Sequence, residues 1–378
     1  MSHIDSTLNF PARKQSSRIS TFHLNRDNGL DLYNPDDTTG QAYLIDGPDE
    51  AKSLSDITIL LDDILPRHRA RIGKYQETSQ GRIVRSHNRN SRVIESCMQL
   101  SKCQFNGYRI DPDVLAVLAV NSETDARRYT GMALSFVIDG KMVYEHYVEY
   151  LKRLKAKLST PAIKQWKRNQ KLLEKRRFES ILKAFDAATQ LPRRYCLIRV
   201  DGSYKQSYRT QVSPSVIAND LDRLIGNMRH NKSQFSALIL AIFKIEYGAS
   251  KGYHWHGFFI YDGSMTSKDV LRGKYLLDYW CNVITHGNGS GYNVNGTAAK
   301  RQLAKHLNVS IGHLALGQLN KDSLEQRANI LAVCMYLAKL RQPIRISESP
   351  KIKQLRIIHG PRFSKFRIEA TISNKNHI

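Results

Sequence analysis

Two strand-like runs on either side of a five-residue, glycine-bounded connection constrain this chain more than any other feature. "SALILAIFKIEY" (236–247) and "YHWHGFFIY" (253–261) are rich in β-branched and aromatic residues, and "GASKG" (248–252) has the length that closes a hairpin. The expected product is antiparallel. With Tyr247 paired to Tyr253, Glu246 falls opposite His254, and His256, two residues on, points to the same sheet face. Directly opposed Cβ atoms lie about 5 Å apart and diagonal ones about 7 to 8 Å, so one carboxylate and two imidazoles converge on one point.

Two histidines and a carboxylate on one face make a three-ligand set with open positions, which suits a catalytic divalent cation such as Mg²⁺ or Mn²⁺ rather than a closed structural ion. Same-face histidines also line polar sheet surfaces with no metal at all. The glutamate, the turn and the matched register weigh toward the cation.

A partner for such an ion stands on the later segment "DSLEQRANILAVCMYLAKL" (322–340), which reads as a helix. At about 100° per residue, Ile330, Leu331, Cys334, Leu337 and Ala338 form its apolar stripe. Tyr336 falls on the opposite side with Glu325, Asn329, Ala332 and Lys339, and is expected outside the core. Lys339, at i+3, would set its ammonium beside the phenol oxygen. A neighbouring cation lowers the cost of forming phenolate, so the pair suits covalent attack on phosphorus. An exposed Tyr and Lys on a solvated helix face is the plainer alternative.

Charge names the class of partner. Lys and Arg number 58 against 34 Asp and Glu, a formal charge of +24, and the pI is near 9.8. Such an excess points to a polyanion, with nucleic acid first. The N-terminus "MSHIDSTLNFPARKQSSRIS" has no apolar run behind its charges, and no apolar stretch approaches bilayer length, so a cytoplasmic protein without membrane contact is expected. The cysteines, Cys97, Cys103, Cys196, Cys281 and Cys334, include no C-x-x-C and are expected as reduced, mostly buried thiols.

Texture divides the chain. Residues 1–90 are polar and expected to be loosely ordered, apart from the amphipathic "DITILLDDIL". Residues 91–187 read as a basic helical region. There Tyr147, Leu151, Leu154 and Leu158, then Ile163, Trp166, Leu173, Phe178 and Leu182, recur at helical spacing among Lys152, Lys164, Lys167, Arg168, Lys171, Lys175, Arg176 and others. That basic face is either simply solvated or follows a phosphate backbone. Residues 188–346 mix strands ("RRYCLIRVD", the hairpin, "IGHLALG") with helices, among them one begun by Ser213-Pro214 and one capped by Thr266, and read as an α+β domain with an antiparallel centre. Residues 347–378 form a basic tail with Arg356, Arg362, Lys365 and Arg367.

Glu246 with "HWHGFF" and then "YLAK" resemble the HUH endonucleases, in particular the single-tyrosine rolling-circle replication initiators, and most closely the inovirus-type phage replication proteins of the YagK/YfjJ kind. The resemblance covers about residues 188–346. It implies a ferredoxin-like or RNA-recognition-motif-like antiparallel sheet flanked by helices, with Glu246, His254 and His256 as metal ligands, Tyr336 as nucleophile and Lys339 orienting or charge-stabilising the reacting group. The implied activity is nicking of single-stranded or melted origin DNA through a 5′-phosphotyrosine intermediate. Trp255, Tyr253 and Phe258 near the site could stack unpaired bases, although Trp255 and Tyr253 point away from the metal face and suit core packing. No G-x-x-x-x-G-K-[ST] occurs, so unwinding would fall to a host helicase and extension to a host polymerase. Relaxases and transposases share this chemistry but relaxases usually carry a third histidine, where this chain has glutamate. A non-catalytic DNA-binding regulator on the same fold is the further alternative.

Overall fold

The computed structural model of the protein describes residues 56–57, 59–66, 72–77, 83–100, 108–190, 194–230, 235–248, 251–340, 344–346 and 352–363. Residues 1–55, most of the stretch expected to be loosely ordered, lie outside them, as do Cys103, turn residues 249–250, and Lys365 and Arg367.

The strands expected from alternation pair as a sheet. Tyr195–Tyr204 (β1), Leu238–Gly248 (β2), Gly252–Asp262 (β3), Gly289–Asn293 (β4), Gly317–Gln318 (β5) and Leu355–His359 (β6) run in spatial order β5-β1-β3-β2-β6, with β4 also paired to β1. Every pairing in it is antiparallel. The hairpin takes the expected register, Tyr247 facing Tyr253 and Glu246 facing His254. "IGHLALG" departs from its expected strand: it begins as a 3₁₀ turn, Ile311–His313, and pairs only at Gly317–Gln318. The basic tail is also more than a tail. Its "LRIIH" run lies along β2 as an outer strand, covering an edge that would otherwise present unpaired backbone groups.

The helices are Arg89–Met98 (α1), Pro112–Thr124 (α2), Val143–Leu158 (α3), Pro161–Ala188 (α4), Pro214–His230 (α5), Asp269–Asp278 (α6), Thr297–Leu307 (α7) and Leu324–Ala338 (α8). The start of α5 agrees with expectation, Ser213 Oγ accepting from the Val216 N–H, whereas α6 begins after Lys268 rather than at Thr266.

Alternation along the strands makes two cores. Ile198, Val200, Phe243, Ile245, Trp255 and Phe259 pack beneath α5 and Trp280 on one face. Leu197, Ile242, Phe258 and Ile260 pack beneath α4 and α8 on the other. Gly257 permits the first: a β-carbon there would stand 2.7 Å from the Trp255 ring and 2.6 Å from the Phe259 ring.

A further core gathers α1, α2 and α3 around Val117, Tyr147, Tyr150 and Leu154, and it takes in Ile57, Leu60, Ile64 and Ile72 from the segment before residue 90. The apolar positions of "DITILLDDIL" explain this, because their burial against α1 stabilises a segment whose polar surroundings suggest looseness. Helix α4, 28 residues long and therefore about 42 Å, serves both lobes. Ile163 near its start packs on the helical core, while Ile181, Ala184 and Ala188 near its end pack on the sheet. Lys167 Nζ reaches buried Asp113 Oδ1 on α2 at 3.1 Å. The strand Ile344–Ile346 pairs with Tyr108–Ile110, tying the end of the expected catalytic segment to the helical lobe.

The chain is thus α+β, with an antiparallel sheet flanked by helices. Among the described residues no helix is long and apolar enough to cross a membrane. Cys97, Cys196, Cys281 and Cys334 are free thiols, and burial pushes that of Cys334 up to about 12.

Candidate metal and nucleophile site

The site lies on the sheet face covered by α4 and α8, at the end of β2 and β3 nearest their turn. The registers of β1, β2 and β3 align Asp201 with His256 and His256 with Lys244, and place Glu246 opposite His254. One donor atom from each of Glu246, His254 and His256 falls within 4.8 Å of the others. His254 Nε2 is 3.7 Å and His256 Nε2 3.1 Å from Glu246 Oε2. The convergence expected from the hairpin is present.

The imidazoles are oriented from behind. His254 Nδ1 donates to the Gly252 carbonyl at 3.0 Å, which leaves Nε2 facing the cluster. His256 Nδ1 lies 2.8 Å from Asp201 Oδ1, an ion-pair contact on the outer side of the ring that leaves Nε2 toward the cluster. Carbonyl and carboxylate partners on the outer nitrogens are the usual support for metal-binding histidines, and both Nε2 atoms meet an anionic oxygen. The donor set fits a divalent cation with further positions open.

Charge inside the cluster is balanced. Burial works to raise the Glu246 carboxyl, yet Lys244 and then His256, which is also within hydrogen-bond distance, hold it well below the ordinary carboxylate range. Burial likewise works to lower His256, but Asp201 and then Glu246 outweigh it and raise its proton affinity. Lys244 Nζ is ion-paired with Glu246 Oε1 and donates to the Tyr336 carbonyl at 3.0 Å.

Tyr336 reaches this cluster. Its hydroxyl lies 2.7 Å from His256 Nε2 and donates to Glu246 Oε2 at 3.3 Å. Its position nonetheless corrects the helical-wheel expectation. Tyr336 is only 8% exposed, because α8 is covered on more than its apolar stripe: Ile330, Cys334 and Leu337 share a core with α4 residues, and the tyrosine ring shares that core with Phe258 and Ile242 of the sheet. A core tyrosine can still present its oxygen to a polar cluster when the cluster lies at the core's edge.

Lys339 is not brought in. The helix ends at Ala338, and Lys339 has extended geometry, φ −59° and ψ 132°. The phenol is instead turned inward, to the buried cluster between sheet and helix. Among the described residues its side chain makes no hydrogen bond or ion pair with the cluster. The cations against the ring are instead Lys244, with Nζ 4.7 Å from the ring centroid, and Arg199, with Cζ at 5.4 Å. Neither stood out in the sequence. The available signal was alternation, since Lys244 precedes Glu246 by two and Arg199 precedes Asp201 by two.

The aromatic neighbours are taken up by packing. Trp255 is 1% exposed, Tyr253 8% and Phe258 0%, so none offers an open ring to a base. Comparison of the chain with protein families, with curated proteins and with solved structures finds no match.

Proposed function

We propose that the protein is a metal-dependent DNA strand nickase and transferase of the HUH type, an initiator that opens single-stranded or melted origin DNA through Tyr336. The observation that carries this reading is the placement of one tyrosine hydroxyl 2.7 Å from an imidazole of a Glu/His/His donor set. The antiparallel sheet with helices on both faces supports an HUH-like fold.

Glu246, His254 and His256 would hold the cation, Mg²⁺ or Mn²⁺, which when bound polarises the scissile phosphate and offsets charge on its oxygens. Tyr336 Oη attacks phosphorus, the bond from phosphorus to the 3′-oxygen breaks, and a 5′-phosphotyrosine forms while the departing oxygen takes up a proton as a 3′-hydroxyl. The phenolic proton passes to solvent, and the bound cation together with Lys244 against the ring would favour the phenolate left behind. Burial of the ring between sheet and helix fixes the direction of the hydroxyl, which is the entropic part of the catalysis. The new ester keeps the energy of the old one, so the same site can reseal or transfer the strand.

Asp201 is a positioning residue in this scheme. Asp201→Asn is expected to weaken Mn²⁺ binding about 10- to 100-fold, as loss of an outer partner does at other metal sites. Titration calorimetry checks it, and unchanged affinity would remove Asp201 from the site.

DNA is also expected to run along α4. Lys164, Arg168, Lys171 and Lys175 are exposed, and their spacing puts them on one stripe roughly 16 Å long. Changing all four to Gln should flatten the dependence of log K on log[salt] for duplex binding by about 3, near the full release expected from four phosphate contacts. An unchanged slope would place the duplex elsewhere.

The test of the function is a denaturing gel of the protein with labelled single-stranded oligonucleotides, with Mn²⁺ or with chelator. A metal-dependent band in which protein and DNA stay joined is expected. Cleavage without a joined species would refute the tyrosine mechanism.

A further inference from the structure

Arg199 is the cation whose presence the scheme above does not explain. It sits on β1 opposite Phe258, two residues before Asp201 and so on the site face. It is 5% exposed. Its main-chain N–H donates to Asn295 Oδ1 at 2.8 Å, but its buried Nη2 makes no hydrogen bond. Among the described residues no carboxylate pairs with its guanidinium. The contrast with Lys244 is direct, since that equally buried ammonium is matched by Glu246 and a carbonyl.

An unmatched buried charge costs stability, and contact with the Tyr336 ring recovers only part of that cost. The guanidinium lies beside the ring whose hydroxyl points to the metal-ligand set, and its planar fork of N–H donors matches the oxygens of a phosphate.

We propose that Arg199 forms an anion site for a non-bridging phosphate oxygen of the nucleic-acid strand at Tyr336. The site rests on the nickase reading for its biological ligand, but its anion affinity can be measured without metal, DNA or cleavage. Arg199 holds the phosphate from the side of the ring while the Glu/His/His set faces the hydroxyl, so the strand is fixed before the bond to Tyr336 forms.

The experiment is thermal unfolding of the full chain in a phosphate-free buffer, titrated with inorganic phosphate against chloride at matched ionic strength. The wild type is expected to show a saturable rise in Tm with phosphate beyond that with chloride, as ligand linkage requires. Arg199→Met should lose that rise while unfolding, without phosphate, at the wild-type temperature or above it. Arg199→Lys keeps the charge without the fork and should need at least about 10-fold more phosphate for half the rise; it also serves should the Met variant not fold. No rise in the wild type, or an equal rise in both variants, overturns the proposal. An anion response lost in Arg199→Met beside a failed adduct assay would refute the nickase alone, and the reverse pattern would refute only the anion site.

Discussion

Tyr336→Phe is expected to abolish the joined protein–DNA species and to slow cleavage by at least about 10³-fold, the scale of loss when a covalent nucleophile is removed. The change deletes one oxygen from a ring held by Phe258, Ile242 and two cations, so the fold should tolerate it. A structural tyrosine would lose stability and retain the adduct; a nucleophile does the reverse. Mn²⁺ binding supplies the control. The Tyr336 hydroxyl is not one of the three donor atoms, so the Phe variant should bind Mn²⁺ as tightly as the wild type. Weaker binding would make Tyr336 a ligand instead, and a surviving adduct would reassign the nucleophile.

His256→Ala is expected to have the broadest effect of any single change. It removes a ligand, and at the same time it strips a partner from Asp201, Glu246 and Tyr336. Mn²⁺ affinity should fall by more than about 100-fold, beyond the range seen for outer-partner losses, and cleavage should fall to the level seen with chelator. Stability should drop too, by about 1 to 3 kcal/mol, since a buried carboxylate is left without its imidazole. His256→Gln restores a hydrogen-bonding side chain, and its recovery of Tm without recovery of Mn²⁺ binding would separate the structural part from the chemical part. Full cleavage by either variant would remove the metal site.

Much of this site is readable from residues 244–256 alone. Strand alternation and a connection of hairpin length determine which side chains share a face, and so Glu246, His254 and His256 could be brought together without coordinates. Lys244 obeys the same rule but is easily passed over, because lysine in a strand usually marks a solvent edge. Asp201 and Arg199 needed more, since β1 pairs with a strand more than fifty residues away and local sequence does not encode that register. Tyr336 is identifiable by its residue type but not by its surroundings: a helical wheel assumes one covered face, whereas α8 is covered from two directions. Lys339 stands apart because the phenol turns inward, to a cluster that the lysine side chain does not join. The strand Leu355–His359 was hidden by Arg356 within a short apolar run.

The sharing of α4 between two cores governs how the chain may be divided. A fragment beginning at residue 188 would strip Ile181 and Ala184 from the sheet and leave Leu197, Ile242 and Ile260 facing water over part of their surface. A unit that keeps the sheet covered therefore includes the second half of α4, and shortening the protein to its chemistry alone would expose an adhesive surface where the helix had been.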